Sequence, residues 1–422
     1  MKFYGNNSNL FENVFALFIF QGSSYLIPLI TLPYLVRVLG PERFGLLAFA
    51  QAFMQYFIVL TDYGFTLTAT RKVAICKNDP AQLSAIFSVV MVIKGFFTIL
   101  AFVILSVVVL LFNKFSSEWE LYYLTFSMVI GSVLFPAWFF QGVENTKDII
   151  FPNLIARIFA VVLIFILIEK ESDYVLASFV QSIGFVLSGV FGIMILTSKY
   201  DIKYIPPSRN EVLLFVKDGF HVFLSTSATS LYTATNVFLL GIFATNTIVA
   251  YYSAAEKIIR AILGSLTPIT QAIYPHINAL AAKSRGSALH FIRSAIKYMG
   301  AFTIILSLLL FVFAGKLVSV VLGPKYVEST SIVHLMAFLP FIVSMGNIFG
   351  VQTMLTFGYS RDFSKIVVSA GIVNIVILFP LVIYYKARGV AIAYLFTELF
   401  ITTMFILFVF RERLYVKNPS IP

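Results

Sequence analysis

The 422-residue chain reads as an all-α polytopic membrane protein, with about twelve transmembrane helices in two six-helix lobes related as a parallel repeat and with both termini cytoplasmic. Three observations predict this. Hydrophobic residues make up 59% of the chain and charged residues 12%, with a mean hydropathy of +0.93, whereas an ordinary globular domain carries about 25% charged residues. Apolar runs of about 20 residues, the length that crosses ~30 Å of hydrocarbon, follow one another along the sequence. Finally, the loops are asymmetric. With the N-terminus inside, the cytoplasmic segments hold 18 of the Lys and Arg residues and the opposite side holds 8, the bias expected because short basic loops resist translocation.

Taken in order, the expected spans are 13–36, 44–67, 84–112, 119–141, 148–168 and 174–197, then 213–243, 247–275, 294–322, 331–357, 364–385 and 389–410. The first follows Lys2 and a polar approach with no short apolar core or small-residue cleavage site, so it is expected to stay in the protein. Leu39 to Gly45, LGPERFG, supplies the Pro and Gly that separate it from the second. The seventh and eighth are long enough to be tilted or broken. The longest polar connection, Ser198 to Glu211 with Pro206 and Pro207, divides the chain into lobes 1–204 and 205–422. Short matches support a repeat: Leu39-Gly40 with Leu240-Gly241, Ala50-Gln51 with Ala255-Glu256, and Phe135-Pro136 with Leu339-Pro340, at the nearly constant offsets 201, 205 and 204.

RVLGPERFG at Arg37 to Gly45, DYGF at Asp62 to Phe65 and TATRK at Thr68 to Lys72 together resemble the signature of the polysaccharide and O-antigen flippase family. That family is the polysaccharide transporter branch of the multidrug/oligosaccharidyl-lipid/polysaccharide exporter superfamily. PAWFFQGVE from Pro136, YYSAAEKIIRAI from Tyr251, LTPITQAIYP from Leu266 and QTMLTFGYSR from Gln352 are similar to further blocks of it. The resemblance implies movement of an oligosaccharide linked to undecaprenyl diphosphate across the bacterial inner membrane. It also implies partnership with membrane lipids, a polysaccharide polymerase and a chain-length regulator.

The residues themselves point to an anionic cargo. A charge at the bilayer centre costs roughly 2.5–3.5 kcal/mol on insertion scales, which makes it a functional candidate. Lys94, Arg157, Glu256, Lys257, Arg260 and Glu398 all fall near mid-span, four cations against two anions. Guanidinium forks phosphate and carboxylate oxygens, and ammonium supplies a mobile point charge. Arg157, Lys257, Arg260 and Lys94 are therefore candidate substrate contacts, joined by Asn236 at the end of the hydroxyl-rich run Ser225 to Asn236. Glu256, Glu398 and Asp62 are candidates for ion coupling. Each has a structural alternative. Glu256 and Arg260 share a helix face at i,i+4 and can simply pair. Lys94 can snorkel towards an interface. Asp62 can form a local salt bridge while Arg71 and Lys72 anchor a cytoplasmic loop, and small hydroxyls serve close helix packing.

Other classes find less support. No GxxxxGK, HExxH, CxxC or GxSxG pattern occurs, so neither cofactor nor metal is expected. Cys76 alone cannot form an intrachain disulfide. The net charge of +11 belongs to cytoplasmic loops and not to nucleic-acid binding. A membrane-embedded polysaccharide polymerase or glycosyltransferase is the enzymatic alternative, but the expected outer loops are short. Glu118 to Glu120 and Glu169 to Asp173 on that side read as solvated. A small-solute or drug exporter of another twelve-helix family is the second alternative, and the cationic excess disfavours cationic cargo.

Overall fold

A computed structural model describes residues 27–145, 147–412 and 414, together with all side chains in these segments except those of His221 and of 225–233. Within them the regular structure is helical. The chain divides into two compact units, Met1–Ala234 and Thr235–Pro422, with the division falling inside a long helix downstream of the Pro206-Pro207 connection. Lys2, Arg413 and Lys417, which contribute to the loop-charge count, and the first half of the first expected span lie outside the described residues.

In the first unit, α1 (Ile27–Val38) leads into α2 (Gly40–Asp62), which carries Pro41 in its first turn. Tyr63 and Gly64 follow in left-handed conformation, at φ 48° and 73°, and turn the chain into α3 (Phe65–Ile75). A side chain at Gly64 would meet Val222 and the Phe223 backbone, so the turn needs glycine for both its φ and its contact. Asp79 caps α4 (Pro80–Leu111) by accepting from the Ala81 and Gln82 amides. The short α5 (Asn113–Ser116) precedes a broken span composed of α6 (Trp119–Thr125), α7 (Ser127–Leu134) and α8 (Ala137–Gly142), with Pro136 at the last break. Then α9 (Lys147–Leu167) and α10 (Tyr174–Lys199) run together, Gly184 lying against Ala160, before α11 (Arg209–Phe243) crosses the division. The core under α3, α4 and α8 gathers Tyr63, Phe65, Trp138, Phe139 and Phe140.

The second unit opens with α12 (Asn246–Lys283), which contains Pro268 and Pro275. Ser284 caps α13 (Arg285–Val321). The next span is again broken, into α14 (Ser329–Met336), α15 (Leu339–Asn347) and a π-helical segment (Ile348–Leu355), with Pro340 in the first turn after the break. The prolines matched in sequence thus both stand at interruptions. The final helix, α16 (Ser360–Arg411), has 52 residues and a non-helical Lys386 at φ 50°, ψ −126°. Unbroken, it would reach about 78 Å at ~1.5 Å per residue, more than twice a hydrocarbon core. The break yields two spans, 360–385 and 387–411.

Eight helices among the described residues are long and apolar enough to cross a membrane, α16 counted once. In α13 only 22% of the most apolar window is buried inside the protein, and Phe302, Ile305 and Val312 face outward. Water would not tolerate such a surface, whereas lipid favours it. The seventh and eighth expected spans coincide with α11 and α12; Ala234–Phe243 of α11 forms a shorter apolar stretch, and α12 carries Glu256, Lys257 and Arg260.

Candidate functional site

The motifs of the first unit converge on one joint. Asp62 ends α2, and its Oδ1 lies 3.6 Å from the Nζ of Lys94 on α4, while Thr66 donates to the same oxygen at 3.0 Å. Lys94 is 3% exposed. This corrects the expected alternatives: Lys94 does not snorkel, and the partner of Asp62 comes from another helix. Next to the pair, the Tyr63 ring is stacked between Phe97 and Phe223 at 4.9 and 4.8 Å, and its hydroxyl donates to the Val216 carbonyl. Lys72 reaches Asp218 at 3.0 Å and lies over the Phe215 ring. Thr70 donates to the Trp138 carbonyl, and Gly142 sits against Val73 so closely that a side chain there would clash. DYGF, TATRK and PAWFFQG therefore form a single packing unit with the first half of α11.

Away from this joint, Arg157 is half-buried on α9, its guanidinium 5.6 Å from the centre of the Phe185 ring on α10. Asn153, one turn earlier, is buried, and its Oδ1 accepts no hydrogen bond among the described residues. Gln51 on α2 donates to Gln181 on α10 at 2.9 Å. In the loops, Glu118 is not simply solvated. It receives Arg43 at 3.2 Å and the Tyr174 hydroxyl at 2.6 Å, which explains the charged residue in the LGPERFG turn. Asp148 likewise takes Lys199, Tyr200 and Asn145. Burial first, and the bond to Asp148 second, push the Tyr200 hydroxyl above its usual pKa.

In the second unit the charges sit on α12. Glu256 is 5% exposed, and Arg260, one turn on, directs Nε and Nη2 to the same carboxylate oxygen at 2.9 and 2.8 Å. The i,i+4 spacing therefore does produce an ion pair. Tyr252 precedes Glu256 by one turn, buried beside Asn236 of α11. Neither amide atom of Asn236, nor the tyrosine hydroxyl, finds a partner of standard hydrogen-bond geometry. Tyr394 of α16 is within electrostatic range of both Tyr252 and Arg260. Below it, Asn374 donates to Thr397 at 2.8 Å inside the same helix pair. Lys257 is half-buried beside Glu256, and Glu398 is half-buried one turn beyond Tyr394. Ser225 to Thr233 have no described side chains, so Thr235 and Asn236 represent the hydroxyl-rich run.

Sequence reasoning singled out Glu256, Arg260, Asn236 and Glu398 but missed Tyr252 and Tyr394. Both tyrosines stand four residues before a flagged carboxylate, on the same helix face, a spacing that could have found them. Asp218 carried no such signal, because its partnership with Lys72 spans 146 residues. Buried polar atoms without partners are rare in native proteins. Asn236, Tyr252 and Asn374 carry such atoms in the second unit, as Tyr122, Trp138, Asn153 and Gln181 do in the first. The chemistry available is electrostatic and hydrogen-bonding, and among the described residues no group of His, Cys, Asp and Glu side chains is placed to hold a metal.

This architecture is that of a helical, multi-span membrane protein. An inward-facing multidrug resistance MATE family transporter of the MOP superfamily superposes with a TM-score of 0.72 at 17% identity, over 92% of this chain and 94% of that one. At that identity the likeness concerns the fold alone. The sequence profile of the family described as "Polysaccharide biosynthesis protein" matches residues 10–281. A protein of Escherichia coli (strain K12) named "Putative O-antigen transporter" is 35% identical over 97% of this chain and 99% of its own length, and one of the same name from Shigella dysenteriae is 33% identical over 92% and 97%. The chain belongs to this polysaccharide biosynthesis family, as the motif blocks led one to expect, and it is a transporter and not an enzyme.

Proposed function

We propose that the protein is an O-antigen or related surface-polysaccharide flippase of the bacterial inner membrane. Its twelve spans, with both termini cytoplasmic, would form lobes 1–204 and 205–422 that open alternately to the two sides. The cargo is an oligosaccharide repeat unit on undecaprenyl diphosphate, carried from the inner to the outer leaflet under an ion gradient. The observation that carries this reading is the similarity, 33–35% identity over nearly the full length, to proteins named as O-antigen transporters, and the charges kept in membrane-spanning helices agree with it. Arg157 offers a guanidinium held against an aromatic face, and Lys257 a cation beside a carboxylate already engaged by Arg260. Both suit a diphosphate or an acidic sugar. Glu256 and Glu398 are the candidates for exchanging an ion.

The test is complementation. Expressed in a strain that lacks its own O-antigen transporter, the chain should restore surface glycan, and Arg157→Ala and Lys257→Ala should insert normally yet lose display. Arg157→Lys should recover it only in part, because it keeps the charge but not the fork. No restoration by the wild-type chain across strains with different repeat units would sink the reading. Wild-type display by both alanine variants would remove these two residues from the cargo path.

A further inference from the structure

We propose a second sugar-recognition site, selective for acidic pyranoses, at the end of the second unit where the two halves of α16 meet. It rests on the proposed topology, which places this turn on the outer face where a translocated glycan emerges. A cavity of about 440 Å³ opens there, within the range of small-ligand sites, roughly 300–1,000 Å³. Tyr251, Tyr384 and Tyr385 supply ring surface, and Lys386, Arg388 and Glu328 supply charge.

The site is built. The Arg388 Nε donates to the Ser331 hydroxyl at 3.2 Å and its Nη2 stands 3.7 Å from Glu328, so the guanidinium is aimed along α14 with donors left over. Tyr251 packs edge-on against Tyr326, and its carbonyl accepts from Ser329 at 2.9 Å, which ties the ring wall to the same helix. Between them, Lys386 holds φ 50°, ψ −126°, a conformation that glycine adopts freely and lysine does not. The chain has glycine only three positions on, at Gly389, where any side chain would run into the Leu381 carbonyl. The turn is thus fixed from both sides, and its strain is spent on keeping an ammonium at the rim.

An interfacial aromatic belt accounts for tyrosines near a membrane surface. It accounts neither for the concavity nor for the strained cation. Rings that stack on the apolar face of a pyranose, beside a guanidinium and an ammonium that pair with a carboxylate, are the chemistry of an acidic sugar.

The experiment uses the full chain in nanodiscs of zwitterionic lipid and a free, lipid-less oligosaccharide containing glucuronic acid, with binding read by saturation-transfer NMR and titration. A neutral oligosaccharide of equal length should bind about tenfold more weakly, the value of one charge-assisted contact. Arg388→Ala and Tyr384→Ala should each weaken acidic-sugar binding by about fivefold or more. Tyr384 is 80% exposed, so its variant will fold. Lys386→Gly should raise the thermal midpoint while weakening binding, which a purely structural turn would not do. Equal binding of neutral and acidic sugars, or acidic binding untouched by Arg388→Ala and Tyr384→Ala, would overturn the site. So would variant-sensitive binding of phosphatidylglycerol, added in a parallel set of nanodiscs, without sugar binding, which would make it a lipid headgroup site. Complementation failing while sugar binding persists would count against transport only, and the reverse would count against this site only.

Discussion

Helices α2 and α12 occupy sequence-matched positions and treat them differently. At the offset of 205 that aligns Ala50-Gln51 with Ala255-Glu256, Gln51 and Gln55 of the first unit correspond to Glu256 and Arg260 of the second. The first unit has a neutral amide that bonds Gln181 on α10. The second has a buried carboxylate bonded by a half-buried guanidinium within a single turn. The first unit puts its own buried pair elsewhere, at the end of α2, where Asp62 reaches across to Lys94. A pair that joins two helices constrains their packing, whereas a pair within one helix constrains nothing beyond itself. The cost of burying charge, several kcal/mol per ion before pairing, therefore returns structural fixation in the first unit but not in the second. The proposed function draws on the local pair of α12, which has Asn236 and Tyr252 beside it.

The comparison can be broken most severely at Asp62. Asp62→Ala leaves Lys94 buried without its carboxylate, and should cost about 3 kcal/mol, the low end for a broken buried pair because Asp62 is itself partly exposed. It should be read as a lowered thermal midpoint in detergent. Asp62→Leu/Lys94→Leu should regain most of that loss. A double variant no better than the single would show that the pair is not what joins α2 to α4. Arg260→Ala strands Glu256 in the same way but unlocks no second helix, so a smaller loss is expected, about 2 kcal/mol. A loss larger than that of Asp62→Ala would reverse the ranking of the two units.

A finer test uses Tyr200, another cross-helix tie in the first unit. Tyr200→Phe removes a bond to Asp148 and should cost about 1 kcal/mol near neutral pH. Because the folded protein holds this hydroxyl above its usual pKa, its contribution is fully present below the unfolded value of about 10. It is lost as pH rises through the folded value. The stability gap between wild type and variant should therefore narrow above about pH 10, and a gap that widens there would contradict the assignment.

The helical class, the order of the spans and the Glu256–Arg260 pair were legible in the sequence because each depends on local spacing: runs of membrane length, breakers between them, and an i,i+4 separation. What escaped was set by contacts between helices. Nothing near Lys94 in sequence announces Asp62, and nothing near Glu118 announces Arg43 or Tyr174. The DYGF turn was visible as a motif, but the stacking of Tyr63 between Phe97 and Phe223 depends on helices 34 and 160 residues downstream. The charges of α12 were also plain in the sequence, whereas the gathering of Tyr252, Asn236 and Tyr394 beside the Glu256–Arg260 pair was not.

The central claim is that charge on α12 serves transport while charge between α2 and α4 serves packing. It is tested most directly by making α12 resemble α2. Glu256→Gln/Arg260→Gln replaces the ion pair with the neutral pair found at 51 and 55, and the quantities to measure are the thermal midpoint and the surface glycan displayed in the transporter-deficient strain. The account predicts a protein within about 1 kcal/mol of wild-type stability, since two amides at i,i+4 can still bond each other without a buried charge, that displays no glycan. Wild-type glycan display by this stable double variant would contradict it.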